Sequence, residues 1–224
     1  MLRNNATLIH RTHSAVMATN KVLTNTYLLL SVTFLFSALM AYVSYSMHAQ
    51  PLNPILFIVG VYGLMFLTSA LQNSSWGIAA VFAFTGFMGY ALGPILNLYM
   101  LHFHNGGQLI ATAFGGTGMI FLALSGYVLT TKKDFSYLNG FLFVASMAAL
   151  LAMIAGVFFQ MPALQLLISA AFILISSGLI LFQTSAIIHG GETNYIAATV
   201  SLFVSIYNLF ISLLNILGSF SNRD

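Results

Sequence analysis

Seven long apolar windows divide the chain, at about 26–47, 54–71, 77–100, 109–131, 138–159, 163–187 and 195–218. Each approaches the roughly 20 residues that a helix needs to cross the hydrocarbon core of a bilayer. Short polar breaks separate them: HAQPLNP at 48–54, QNSSWG at 72–77, HFHNGG at 102–107, TKKDFS at 131–136, QMP at 160–162 and HGGETN at 189–194. In lipid every backbone amide must find its partner within the protein, so unbroken apolar runs with short loops predict helices and not barrel strands. The expected fold class is all-α and integral to the membrane, with seven transmembrane helices. Residues 1–25 then form a polar N-terminal tail, 26–218 the membrane domain and 219–224 a short C-terminal tail.

The seventh window carries the clearest internal pattern. Asn194, Ala198, Ser201, Ser205, Asn208, Ser212, Asn215 and Ser219 recur at steps of three and four, which is one continuous helix face. Every member is small or polar, so the face belongs against protein, and the seventh helix is expected to be central. Interhelical hydrogen bonds explain such a stripe; a wetted polar pathway is the sharper alternative. The sixth window has a weaker counterpart in Ser169, Ser176 and Gln183. In the third, Gly86, Gly89 and Gly93 clear one face for a neighbouring backbone, and Pro94 removes a backbone donor and should kink the helix. Gly115, Gly116 and Gly118 in the fourth are read the same way, as helix packing; for both runs the alternative is a hinge or broken helix that lines a cavity.

Composition agrees. Hydrophobic residues make up 59% of the 224 and charged residues only 4%, against about 25% in a soluble domain; the mean hydropathy is +0.96. A net charge of +3 is too small and scattered for a nucleic-acid partner, so none is expected. Its placement sets orientation. Arg3, Arg11 and Lys21 precede the first window, and Lys132 and Lys133 follow the fourth. An even number of crossings separates the two groups, so they share a side, and Arg223 alone falls on the other. The positive-inside rule then puts the N-terminus in the cytoplasm and the C-terminus outside. Ser44-Tyr45-Ser46 has small residues at cleavage-like spacing, but the apolar run and the polar lead before it are both long for a signal peptide, so an uncleaved span is expected. The lead is basic and free of acid, which also gives it a presequence flavour; a flexible cytoplasmic tail is the simpler reading.

Little here can do chemistry. The acids are Asp134, Glu192 and Asp224, all in loops or at the terminus. Without paired carboxylates in the membrane, an intramembrane aspartyl protease is excluded, and no enzyme is expected. Cysteine is absent, which excludes disulfides and thiolate metal sites. His102 and His104 are too few to hold a metal without a nearby carboxylate, so neither metal nor cofactor is expected. His189 and Glu192 flank Gly190-Gly191, where a tight turn is favoured. They could pair by hydrogen bond or offer a contact to a partner.

The runs GFMGYALGP at 86–94, YVLTTKKDFSYLNG at 127–140 and IIHGGETNYIAATVSLFVSIYNLF at 187–210 together resemble the Bax inhibitor 1 family, the transmembrane Bax-inhibitor-motif proteins. The resemblance covers nearly the whole chain and is nearest to a bacterial inner-membrane branch. It implies six helices wrapped around a central seventh. It also implies a regulatory role: binding and modulating FtsH, a membrane-anchored AAA protease, as a slow competing substrate. The lead bearing Arg3, Arg11 and Lys21 would then be what the protease grips. The alternative that the family implies is a pH-sensitive calcium or ion leak channel gated by two acids, one on the sixth span and one on the seventh. Those positions fall on Gln183 and Ser205, with Ser201, Asn208, Ser212 and Asn215 along the same candidate pathway. Two carboxylates sharing a proton make a pH switch; Gln and Ser do not.

Overall fold

A computed structural model describes residues 2–158 and 161–221, with side chains from Met17 onward save those of 18, 157 and 158. Seven helices follow one another: α1 (Leu2–Ser46), α2 (Pro54–Leu71), α3 (Trp76–His102), α4 (Gly106–Thr131), α5 (Leu138–Phe158), α6 (Pro162–Ile188) and α7 (Tyr195–Ser221). Each contains a stretch long and apolar enough to cross a membrane, that of α1 being Thr19–Ser46. The chain is an all-helical integral membrane protein. Large side chains such as Leu35, Phe66, Leu101 and Leu174 are exposed, as a hydrocarbon solvent permits.

Local chemistry sets the helix ends. The Asn53 side chain accepts from the Ile55 N–H, and Pro54 takes the first helical position of α2, where a missing N–H costs nothing. Pro162 starts α6 in the same way. Lys132 closes α4 in the left-handed region at φ 51°, and Gly190, at φ 75°, turns the chain after α6. The 189–194 segment is thus the expected tight turn. α3 stays helical through Pro94 as far as His102. The lead differs from expectation: α1 begins at Leu2, so residues 2–25 continue the first span as helix where a flexible tail was expected. The side chains of Arg3 and Arg11 lie outside the described residues, as do Arg223 and Asp224.

Between helices, hydrocarbon gives no hydrophobic drive, so the bundle depends on close packing and polar pairing. α7 packs against α1, α2, α3, α4 and α6, while α5 joins the bundle through α6. Phe203 of α7 stacks on Phe34 of α1, with centroids 4.9 Å apart, and meets Phe84 of α3 edge-on at 6.1 Å. Phe84, Phe203, Leu202, Leu209 and Leu214 are fully buried.

α3 lies closely along α1. A Cβ on Gly89 would strike the Ser37 backbone carbonyl, one on Gly93 the Ser44 side chain, and one on Gly86 the Phe36 ring at 2.6 Å. The glycines of α4 differ. Gly115 and Gly118 have nothing within 4 Å of a Cβ position, and Gly116 only Leu213 at 3.7 Å. Gly115 is exposed and Gly118 lines an open crevice, so close helix packing is not the role of either. α1 and α4 meet through side chains, Tyr27 stacking on Phe121 at 5.9 Å. Between them runs an apolar crevice of about 630 Å³, floored by Phe203 and Tyr207 of α7.

Candidate functional site

The α2–α3 loop, the α4–α5 loop and the α6–α7 turn gather at one end of the bundle. Thr199 donates to the Thr26 carbonyl there at 3.4 Å, which places the N-terminal lead of α1 at the same end. Two hubs hold the loops. At the first, the buried Ser185 hydroxyl accepts from the Phe135 N–H at 2.9 Å. It also lies 3.4 Å from the Lys133 carbonyl, 3.5 Å from the Asp134 carboxylate and 3.3 Å from His189 Nδ1. His189, at the end of α6, sets Nδ1 2.9 Å from the Ser185 carbonyl and Nε2 3.1 Å from the Lys132 carbonyl. A neutral ring can donate to only one of these carbonyls; an imidazolium donates to both. Hydrogen bonds from the Ser136 side chain and backbone, then the coulombic attraction of the neighbouring His189 ring and the Ser185 hydroxyl, hold the Asp134 carboxyl below its ordinary value.

At the second hub, Asn194 accepts from the Ile196 and Ala197 N–H groups through Oδ1, at 2.9 and 3.3 Å, and so caps α7. Its Nδ2 donates to the Gln72 carbonyl at 3.0 Å and to Asn73 Oδ1 at 2.9 Å, tying in the α2–α3 loop. Glu192 accepts from the Asn194 N–H at 2.7 Å. Glu192 and His189 therefore serve different partners, and the direct pair between them does not form. Lys21, Lys132 and Lys133 are exposed at this face.

Inside the membrane, the α7 stripe meets α6 at two levels. Ser205 is buried and donates to Gln183 Oε1 at 3.3 Å as well as to the Ser201 carbonyl at 2.9 Å. One and a half turns before the end of α7, Asn215 Nδ2 donates to Ser169 Oγ at 3.0 Å. Asn208 is half-buried and Ser212 buried, whereas Ser201 is exposed; the stripe is not covered along its whole length. At the opposite end from the loops, His102 Nδ1 lies 3.0 Å from the Leu98 carbonyl.

A family model described as Inhibitor of apoptosis-promoting Bax1 (Bax1-I) matches residues 19–222. The chain belongs to this family. Its relatives include the Modulator of FtsH protease YccA of Escherichia coli K12, 56% identical over 94% of this chain and 95% of that protein. The Inner membrane protein YccA of Escherichia coli O6:H1 is similar to the same extent. An uncharacterized membrane protein of Vibrio cholerae is 44% identical over 98% of this chain and the whole of that one.

In this Bax1-I chain, Gln183 and Ser205 do come together, at hydrogen-bond distance and with no ionisable group between them. Ser185 and Asn194, the organisers of the loop face, were not singled out for that role by the sequence. Asn194 carried a local signal, an Asn just before an apolar run. Ser185 carried none, because its partners lie about fifty residues away along the chain.

Proposed function

We propose that this protein is a regulatory inner-membrane protein that binds an FtsH-type membrane protease and restrains it as a slowly processed substrate. The observation that carries the reading is the 56% identity, over nearly the full length of both chains, to a protein named Modulator of FtsH protease. The architecture supplies a physical rationale. The polar lead, with Arg3, Arg11 and Lys21, gives an ATP-driven protease an end to engage. The bundle behind it is tied at its loops by Ser185, His189 and Asn194, and interlocked at Gly89 and Gly93, and so resists extraction. The exposed Lys132 and Lys133 sit on the same face as the lead and offer a second contact. Orientation follows from the lysine and arginine bias, with this face cytoplasmic.

Mild-detergent purification of the full chain from cells that make the protease tests binding directly: the protease should co-purify. Deleting residues 1–20 should leave membrane insertion intact and abolish degradation. Unchanged turnover of the shortened chain would sink the proposed grip, and failure of the full chain to bring the protease along would sink the reading itself.

The channel alternative draws on one observation, the Ser205–Gln183 contact at 3.3 Å. Neither group titrates, so the pair cannot switch with pH as two carboxylates would. Calcium flux into proteoliposomes should accordingly show no step between acid and neutral pH. A robust pH-dependent flux, lost in Ser205→Leu, would favour the channel.

A further inference from the structure

Near the end of the bundle where α5 ends and α6 begins, a cavity of about 540 Å³ opens between α5, α6 and α7. That size falls within the roughly 300–1,000 Å³ of small-molecule sites. Among the described residues its lining contains no ionisable side chain. Gln165, Ser169, Ser212 and Asn215 supply the polar groups, and residues such as Ile168 and Phe172 the apolar wall. Gln165 lies in the first turn of α6 and is exposed, which places it at the mouth.

The polar groups inside are not all spoken for. Ser169 is engaged both ways: it donates its one proton to the Gln165 carbonyl at 2.9 Å and accepts from Asn215 Nδ2 at 3.0 Å. Those two bonds place the Asn215 amide with Nδ2 on Ser169 and leave Oδ1 without a hydrogen-bond partner among the described residues. Ser212 is 6% exposed and lines the cavity, yet its hydroxyl has no hydrogen-bond partner among the described residues. A serine in a helix usually returns its hydroxyl to the preceding turn, as Ser205 does here. An unmade bond in a membrane interior is costly, and a native structure that carries one commonly fills it from outside.

From this we infer that the α5–α6–α7 cavity is a binding site for an uncharged amphiphile bearing a hydroxyl group. A hydroxyl can donate to Asn215 Oδ1 and accept from Ser212 at the same time, which suits it better than a group that only accepts. Burying an anion or a cation there would leave it without a counter-charge. The hydrocarbon part of the ligand lies on Ile168 and Phe172 and leaves through the mouth beside Gln165. Water could supply the same hydrogen bonds, so the test separates the two sources.

The chain has no cysteine, so a single Met153→Cys on the cavity rim reports on occupancy without touching the hydrogen-bonding groups. The full-length variant in detergent is labelled with uncharged 2-hydroxyethyl methanethiosulfonate. A monoacylglycerol at about ten times its Kd should slow labelling about tenfold, the free fraction that mass action leaves. The methyl ester of the same acyl chain, which lacks the hydroxyls, should not. Adding Ser212→Ala should remove the protection while the unprotected labelling rate stays measurable as its reference. Leu167→Cys, on the exposed side of α6, should label equally with and without the monoacylglycerol. If neither ester protects, the cavity holds water alone and the inference fails. It fails equally if both esters protect alike, or if protection survives Ser212→Ala.

Discussion

A single carbon atom decides the fate of a glycine in this bundle. A Cβ on Gly89 would run into the backbone oxygen of Ser37, which cannot rotate away. Gly89→Ala should therefore push α3 off α1 and cost about 1–3 kcal/mol, the usual penalty for overpacking. Thermal unfolding in detergent should show a clearly lower midpoint. Gly118→Ala should do the opposite, because nothing lies within 4 Å of the added atom and alanine gains up to about 1 kcal/mol of helix propensity. The spacing of Gly86, Gly89 and Gly93 made the first group legible in the sequence, since steps of three and four define a face. The α4 glycines looked equivalent and are not. Composition says that a face is open; it does not say whether another helix stands opposite.

Helix ends carry a similar mixture of local and distant information. Asn53-Pro54, Pro162 and the 189–194 turn could be read directly, because capping and turn chemistry act within a few residues. The clasp joining the α4–α5 loop to α6 could not. Ser185→Ala would strip the buried Phe135 N–H of its acceptor at a cost of about 1–3 kcal/mol. Hydrogen exchange should rise at residues 132–138 while α6 itself stays protected. Acid should loosen the turn beside this clasp, where Asp134 accepts from Ser136. The Asp134 carboxyl is held below its ordinary 3.8 in the folded chain, so its contribution is present above that value and is lost as pH falls through the lower, folded one. In Asp134→Asn the exchange of the Ser136 amide, which Asp134 accepts from, should become flatter across that acid range.

At the scale of the molecule, the central place of α7 was readable because a polar stripe has no home in lipid. The peripheral place of α5 was not. Its apolar surface meets lipid tails as readily as it meets α6, and the two environments leave the same sequence signature. The crevice between α1 and α4 was illegible for the same reason. Orientation remains a prediction of the basic residues: a reporter enzyme that matures only outside the cytoplasm should be active when fused after Ser221 and inactive when fused before α1. A reversed pattern would move the loop face, with its lysines and His189, away from any cytoplasmic partner.

Placing the hub of the bundle in α7 has a consequence for synthesis. The six helices that surround or flank it leave the ribosome first, so for a time they assemble around a missing centre. During that interval Ser169, Gln183 and the Thr26 carbonyl have no α7 partner, and the inner faces of α1, α3, α4 and α6 must be held by lipid, by one another or by an insertion factor. The 27 residues of α7, emerging after those six, convert that loose ring into a closed body. A ribosome stalled before α7 would therefore release a chain with every preceding span inserted and no finished interior, a substrate marked for quality control by what it has yet to receive.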